Sequence, residues 1–441
     1  MRSLDIRVFL SAVIVTAAYL LSPWGGAAAM SVIVLGVFLR KDRSSLEKIL
    51  RLLIISWPLY TTPIIPGLPV LASWTTALLL LFCVYVVRYR CPAGAWDYYL
   101  ISAWLLASGA ALLNSKGGIS EAYYVLQFLI FLLPAILAFL YREPLAKQLE
   151  KDTGHRLFSA LVAVLLATAV GVLLQFLALK MFGMHIGHVG YFKNRTTYDV
   201  LVPAYSALSA ILAPGLAVAP VLWFKRNYMM AVVLPLVCGS AILINSSRTG
   251  LIAGLLGMAI FILYPLRGVN VGRSVLLLIP GSLFAFWIMQ KMLGSSRFKG
   301  TNAFASNGRF ETYQDGLNLW TQDLRFLLFG RGYAQYPTTP PHNFVLETLV
   351  CSGVIAFAVV AVWLCRFLID MSRNEWMYPA VALLLASLLF SGFYNVKVFT
   401  ILLICGVICS TEHKLQTRER EQGKNDDYPA CREIDTEVGR V

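Results

Sequence analysis

Long apolar runs broken by short polar stretches fill most of this chain, and their length sets the first expectation. A hydrocarbon core about 30 Å thick takes about 20 apolar residues in a helix, fewer when flanking side chains snorkel. Fourteen runs approach that requirement, near 8–22, 25–39, 49–62, 68–87, 97–114, 121–141, 157–182, 199–224, 228–245, 249–265, 274–292, 342–365, 377–394 and 397–410. The first three are short for full crossings, so twelve is the alternative count, and either even number leaves both termini on one side. The pattern predicts an all-α, polytopic membrane protein of 12–14 transmembrane helices, with one membrane domain over 1–410. Beyond it, the polar run from Lys414 to Asp427 cannot bury a core and predicts a disordered tail over 411–441.

Two outer loops are long. Met184–Tyr198 carries His185, His188, Lys193 and Arg195. The other, Leu293–Pro341, contains its own helical pattern: Phe310, Tyr313, Leu317, Trp320, Leu324 and Leu327 recur at steps of three and four, giving one apolar stripe. Such a helix fits a lid lying on the membrane surface, and equally a helix packed on the spans.

Composition agrees with the pattern: 58% of residues are hydrophobic, 14% are charged, and mean hydropathy is +0.69. Lys and Arg are retained on the cytoplasmic side during insertion. With the amino terminus inside, the cytoplasmic segments collect most of the 37 basic residues, including Arg40-Lys41-Asp42-Arg43, Arg88-Tyr89-Arg90 and Lys225-Arg226. The formal charge of +14 is then a topology signal, and no nucleic-acid partner is expected. The first helix lacks a small-residue cleavage site and reads as a retained span. Cys83, Cys238, Cys351, Cys365, Cys405 and Cys409 fall in spans while Cys91 and Cys431 face the cytoplasm, so no disulfide framework and no metal-ligand spacing is expected.

Chemistry must then come from a few polar positions at the outer face. Asn307-Gly308-Arg309 opens the loop helix, with Ser306 or Asn307 as N-cap. First-turn amides together with the Arg309 fork suit a phosphate, although Arg309 could instead pair with Asp315. Arg248 stands in Ile244-Asn245-Ser246-Ser247-Arg248-Thr249-Gly250, between two spans with no room for a real loop. A guanidinium there costs on the order of 2–3 kcal/mol, so a partner is expected, and an anionic ligand or an interfacial anchoring role would each supply one. Arg195 is the third candidate. His342 follows Pro340 and Pro341 at the start of a span, where the positive helix end disfavours imidazolium and leaves a neutral ring able to accept a proton. A cap or interfacial side chain would occupy the same place. Glu347 could support or replace His342 as the base, or be an ordinary interfacial acid. The outer acids Glu121, Asp199, Glu311, Asp315, Asp323 and Glu347 make no Asp-x-Asp pair to clamp a divalent ion, so no metal or cofactor is expected and arginines would take that role.

These residues resemble the bacterial O-antigen ligase and O-antigen polymerase superfamily of membrane glycosyltransferases. The matches are Ser247-Arg248-Thr249-Gly250 after a span, Gly308-Arg309 followed by Trp320 and Phe329-Gly330-Arg331-Gly332-Tyr333, then Pro341-His342-Asn343 with Leu346 and Gly353. They cover the carboxyl half; the amino-terminal spans match only in general character. The resemblance implies a GT-C-like membrane enzyme in the bacterial inner membrane, with both termini cytoplasmic and its active site facing the periplasm. It would transfer a glycan, with inversion and without metal, from undecaprenyl diphosphate to an acceptor hydroxyl. Carried over by position, Arg195, Arg248 and Arg309 would hold the diphosphate, His342 would activate the acceptor, and Asn343 and Glu347 would support it. His342-Asn343 with Gly353 follows the ligase spacing, whereas Ala356 departs from it. The polymerase pattern Arg-x10-Gly counted from Arg195 reaches Ser206. The implied acceptor is therefore lipid A–core oligosaccharide, with a polymerase joining lipid-linked repeat units as the alternative. A flippase of a lipid-linked glycan is a further reading, but it should carry polar groups through the membrane middle rather than at one face.

Overall fold

The computed structural model describes residues 5–41, 43–69, 72–89, 95–114, 132–192, 195–202, 205–266, 272, 290, 309–332, 342–389 and 392–426. Among them the chain is mostly helical. Most of the expected spans 121–141 and 274–292, the segments 293–308 and 333–341 of the long polar loop, and residues 427–441 lie outside the described residues. Among the described residues four helices are long and apolar enough to cross a membrane: Thr153–Phe182, Ser206–Phe224, Phe344–Asp370 and Val396–Arg418. Six shorter apolar helices accompany them.

The amino-terminal part begins with α1 (Ile6–Leu21) and α2 (Pro23–Leu39). Ser22 ends the first and caps the second by accepting from Gly25 N, with Pro23 at the first helical position, where its missing N–H costs nothing. The amphipathic α3 (Ser45–Ile55) and the apolar α4 (Trp74–Val87) follow, then α5 (Ala95–Asn114) and the short α6 (Arg142–Ala146). Helix α7 (Thr153–Phe182) is the central pillar and stops at Gly183, whose φ of +65° suits a residue without Cβ.

After it come the antiparallel hairpin β1 (His188–Phe192) and β2 (Arg195–Val200), then α8 (Tyr205–Ala217) with its continuation α9 (Ala219–Phe224), α10 (Tyr228–Ile244) and α11 (Arg248–Leu263). Glycines bring α11 onto α8 at backbone distance. A Cβ on Gly250 would stand 2.1 Å from Ser209 O, and one on Gly254 would stand 2.8 Å from Leu216 Cβ. Small residues four apart are what close helix packing in lipid requires, because no hydrophobic gain drives association there.

The carboxyl part holds α12 (Arg309–Thr321), α13 (Leu324–Phe329), α14 (Phe344–Asp370), α15 (Met377–Leu389) and α16 (Gly392–Asp426). Two expectations change here. The single amphipathic loop helix is two helices, because Asp323 caps a new one by accepting from Arg325 N at 2.9 Å; Trp320 Nε1 then donates to Leu327 O at 3.1 Å. Of its apolar stripe, Phe310, Leu317 and Leu324 are exposed, while Gly316 is the buried position, 3.1 Å from Leu346 measured from an added Cβ. The tail expected to be disordered from Thr411 is instead helical to Asp426. Glu412 is buried, its Oε2 accepting from Gly154 N at 2.9 Å, and Lys414 Nζ lies 2.6 Å from Asp370 Oδ1. Composition suggested a solvated tail, but these polar residues have partners on α7 and α14.

Charge separates the two ends of the bundle. The hairpin caps the carboxyl end of α7. At the amino end of α7, Arg156 bonds Glu47 and Glu150, Arg51 bonds Glu47 and Asp5 at 2.7 Å, and Lys225 pairs with Glu375. Asp5 and Glu412 therefore reach the same end of α7 from opposite parts of the chain.

Candidate functional site

The hairpin that carries Arg195 is held by two buried side-chain amides. Gln175, near the end of α7, accepts from Val200 N at 2.9 Å and donates to Ile186 O at 2.7 Å, so it grips the outer ends of both strands. Asn245, which ends α10, accepts from Tyr198 N at 2.8 Å and donates to Tyr198 O at 3.1 Å. Within the hairpin, His188 Nδ1 lies 3.1 Å from the buried Asp199 Oδ2.

Asn245 also begins the turn that positions Arg248. Ser246 adopts φ +49°, Ser247 is buried, and Arg248 is the first residue of α11. Three residues thus separate two apolar helices, as the sequence predicts. Arg248 is half-buried. A cation in a first helical turn opposes the helix dipole, so this placement favours a bound anion. Arg309 opens α12 in the same way, while its expected caps Ser306 and Asn307 lie outside the described residues.

His342 does not begin its helix, as the sequence reading has it. It is the residue before the N-cap, half-buried, with φ +48°. Left-handed backbone is uncommon for residues other than glycine and clusters at functional sites. Asn343 supplies the cap: Oδ1 accepts from Leu346 N at 3.1 Å, and Nδ2 donates to Leu388 O at the end of α15, at 3.0 Å. Glu347 lies in the first turn of α14 and is fully buried, where its charge favours the helix amino end.

Helix α14 is interrupted at Gly353, with φ 75° and ψ 177°. The break frees carbonyls, and the segment after α13 takes them: Arg331 N donates to Val350 O at 2.8 Å and Gly332 N to Cys351 O at 3.1 Å. A Cβ on Gly330 would stand 2.3 Å from Cys351 O; one on Gly353 would stand 2.2 Å from Leu328 O. Asn114 Nδ2 closes the arrangement on Gly330 O at 2.8 Å. Backbone thus meets backbone where α12–α13, which begins at Arg309, joins the helix that follows His342.

The two halves of the site lie at one end of the bundle. Helices α11 and α15 run antiparallel, since Tyr378 Oη donates to Tyr264 O at 2.9 Å and an added Cβ on Gly257 would stand 3.0 Å from Ala382 Cβ. From that crossing, nine residues lead to Arg248 and six to Leu388, about 14 Å and about 9 Å in the same direction at about 1.5 Å per residue. Leu388 holds Asn343, so His342 stands near the level of Arg248, on the hairpin side. The structure brings together the turn of Arg248 with the strand of Arg195, and the helix of Arg309 with that of His342.

Sequence reasoning missed Gln175, Asn245 and Asn114. The signal was a lone amide within or ending an apolar run. It also missed Lys397, whose buried Nζ donates to Tyr60 O and to Ser73 Oγ, each at 3.0 Å. Comparison of the chain with family models, with curated proteins and with solved structures finds no match.

Proposed function

We propose that this chain is an inner-membrane glycosyltransferase of the O-antigen ligase type, transferring a glycan from undecaprenyl diphosphate to lipid A–core oligosaccharide at the periplasmic face. The observation that carries this reading is that the Arg195 strand and Arg248 turn, held together, and the Arg309 helix and His342 helix, held together, lie toward the hairpin end of the bundle. The opposite end holds Arg51, Arg156 and Lys225, and such basic clusters stay cytoplasmic during insertion. The hairpin end then faces the periplasm, where lipid-linked glycan awaits transfer. Exposed Phe310, Leu317 and Leu324 give α12–α13 an apolar side to rest on the outer leaflet.

In this mechanism the His342 imidazole accepts the proton of an acceptor hydroxyl as its oxygen attacks the anomeric carbon. The bond from that carbon to the diphosphate breaks on the far side, which inverts the configuration. Negative charge grows on the departing diphosphate and is met by Arg195, Arg248 and Arg309. Loss of one donor that binds charge only as it develops costs about 10²–10³ in rate. Asn343 holds His342 to α15, and buried Glu347 stabilises the first turn behind it.

The break at Gly353 supports the enzyme reading over transport. Interrupted helices in transporters leave carbonyls to coordinate a substrate, whereas here Arg331 N and Gly332 N already occupy Val350 O and Cys351 O. The test is purified full-length protein given undecaprenyl diphosphate-linked glycan and lipid A–core, with the lipopolysaccharide product resolved on a gel. Transfer to lipid A–core is expected. Elongation of the lipid-linked glycan instead would make it a polymerase, and no transfer in either assay would overturn the assignment to this class.

A further inference from the structure

At the end of the bundle opposite the hairpin, α1, α2 and α3 enclose a groove of about 220 Å³ with two kinds of wall. Arg7, Arg40, Arg43 and Arg51 line one side of it. Val32, Ile33 and Val37 of α2 line another.

Among the described residues, the acids nearby do not balance these cations. Arg51 uses both Asp5, at 2.7 Å, and Glu47, at 3.1 Å. Glu47 also lies 3.7 Å from Arg43 and 3.1 Å from Arg156. Arg156 has Glu150 as well, at 3.0 Å, so Asp5, Glu47 and Glu150 are already taken up by Arg43, Arg51 and Arg156 before Arg7 and Arg40 are counted. Among the described residues Arg7 and Arg40 form no ion pair, and both are exposed. Lys41 and Lys48 add charge beside them, with Lys48 Nζ spent on Phe38 O at 3.2 Å.

The apolar wall narrows the choice of anion. Val32 and Leu35 are 67% and 62% exposed, so the flank of α2 that leads into the groove is a surface for hydrocarbon rather than water. Gly36 lines the groove, and a Cβ added there meets nothing within 4 Å, which leaves space beside the backbone. A free inorganic anion would satisfy guanidiniums and leave this wall bare. Basic pockets between membrane helices on the cytoplasmic side suit the head groups of anionic lipids.

We propose that this groove binds an anionic phospholipid, its phosphate between Arg7 and Arg40 and an acyl chain along Val32, Ile33 and Val37 past Gly36. The site is independent of the glycosyltransferase reading. Its bonds are charge-assisted contacts at the head and dispersion along the tail, and neither alone would select an anionic lipid.

The test uses purified full-length protein in detergent, native mass spectrometry, and phosphatidylglycerol against phosphatidylcholine with the same acyl chains. Retained phosphatidylglycerol and lost phosphatidylcholine are expected. Removing both exposed cations with Arg7→Ala and Arg40→Ala should weaken phosphatidylglycerol binding about 30-fold. Gly36→Leu should block retention with no change in melting temperature, since the new side chain enters empty space; this variant decides the matter if the double variant fails to fold. Equal retention of the two lipids, or unchanged binding in Gly36→Leu, would overturn the proposal. So would displacement of the lipid by inorganic phosphate alone, which would mark a site for a free anion.

Discussion

Asn245 and Tyr198 are paired as if the asparagine side chain were a neighbouring strand. Its Oδ1 accepts from Tyr198 N at 2.8 Å and its Nδ2 donates to Tyr198 O at 3.1 Å. One buried amide thereby fixes the hairpin of Arg195 to the turn of Arg248. Asn245→Ala leaves two backbone groups without this partner, at about 1–3 kcal/mol for each buried group left unsatisfied. Asn245→Asp keeps the acceptor but sets a second carboxylate oxygen against the Tyr198 carbonyl, two acceptors at a buried position, so it should lose at least as much. Thermal unfolding in detergent should place both variants below wild type; an alanine variant as stable as wild type would remove the amide from this role.

Gly330 and Gly353 carry a second prediction. The backbone of Gly353, at φ 75° and ψ 177°, lies in a region open almost only to glycine. An added Cβ would stand 2.2 Å from Leu328 O. Gly353→Ala should therefore cost more than the about 1–3 kcal/mol of backbone strain alone. Gly109→Ala is the control: it lies within α5 and its Cβ meets nothing within 4 Å, so it should be neutral or stabilising by about 0.5–1 kcal/mol. Equal melting temperatures for the two variants would count against a packed clasp at Gly353.

Much of this arrangement was legible in sequence, and the reasons differ from residue to residue. Run length alone placed α7, α14 and the three-residue turn before Arg248, because lipid admits few alternatives to an apolar helix. The junction at His342 was legible from Pro340 and Pro341, but the left-handed backbone was not, since histidine adopts it more often than most residues yet too seldom for the residue type to predict it. Asp323 hid the split between α12 and α13 because the apolar stripe keeps its period across the cap. The helical tail was missed for a different reason. Lys414 and Glu412 look solvated in sequence and acquire partners only when α16 packs against α7 and α14. Gln175 and Asn245 act across long chain separations, which no local pattern encodes.

His342 separates chemistry from stability. Asn tolerates left-handed backbone nearly as well as any residue with a side chain, so His342→Asn should fold with an unchanged melting temperature. It lacks a group that accepts a proton near neutral pH, and transfer should fall by about 10²–10⁴, the usual contribution of a positioned base. Normal turnover by this variant would dismiss His342 as the base.

Arginines in place of a metal make a prediction about ions. A guanidinium stays charged and forked at any working pH, so glycan transfer should proceed unchanged with a chelator present. A strict requirement for added magnesium or manganese would refute the proposed role of Arg195, Arg248 and Arg309.

Helix α16 tests the revised carboxyl boundary. Asp152 makes no side-chain cap on α7, and Glu412 takes that place from another helix: its Oε2 accepts from Gly154 N at 2.9 Å while Gln416 Nε2 holds Oε1 at 2.9 Å. A carboxylate at a helix amino end also meets the positive end of the dipole. Glu412→Ala should cost about 0.5–2 kcal/mol, the range for a lost N-cap. Ending the chain after Ser410 removes this cap together with the Lys414–Asp370 pair, so that protein should unfold at lower temperature than the full chain. Ending it after Asp426 spares both contacts, so that protein should melt at a higher temperature than the one stopped at Ser410. A chain stopped at Ser410 that melts with the full-length protein would restore the boundary drawn from composition alone.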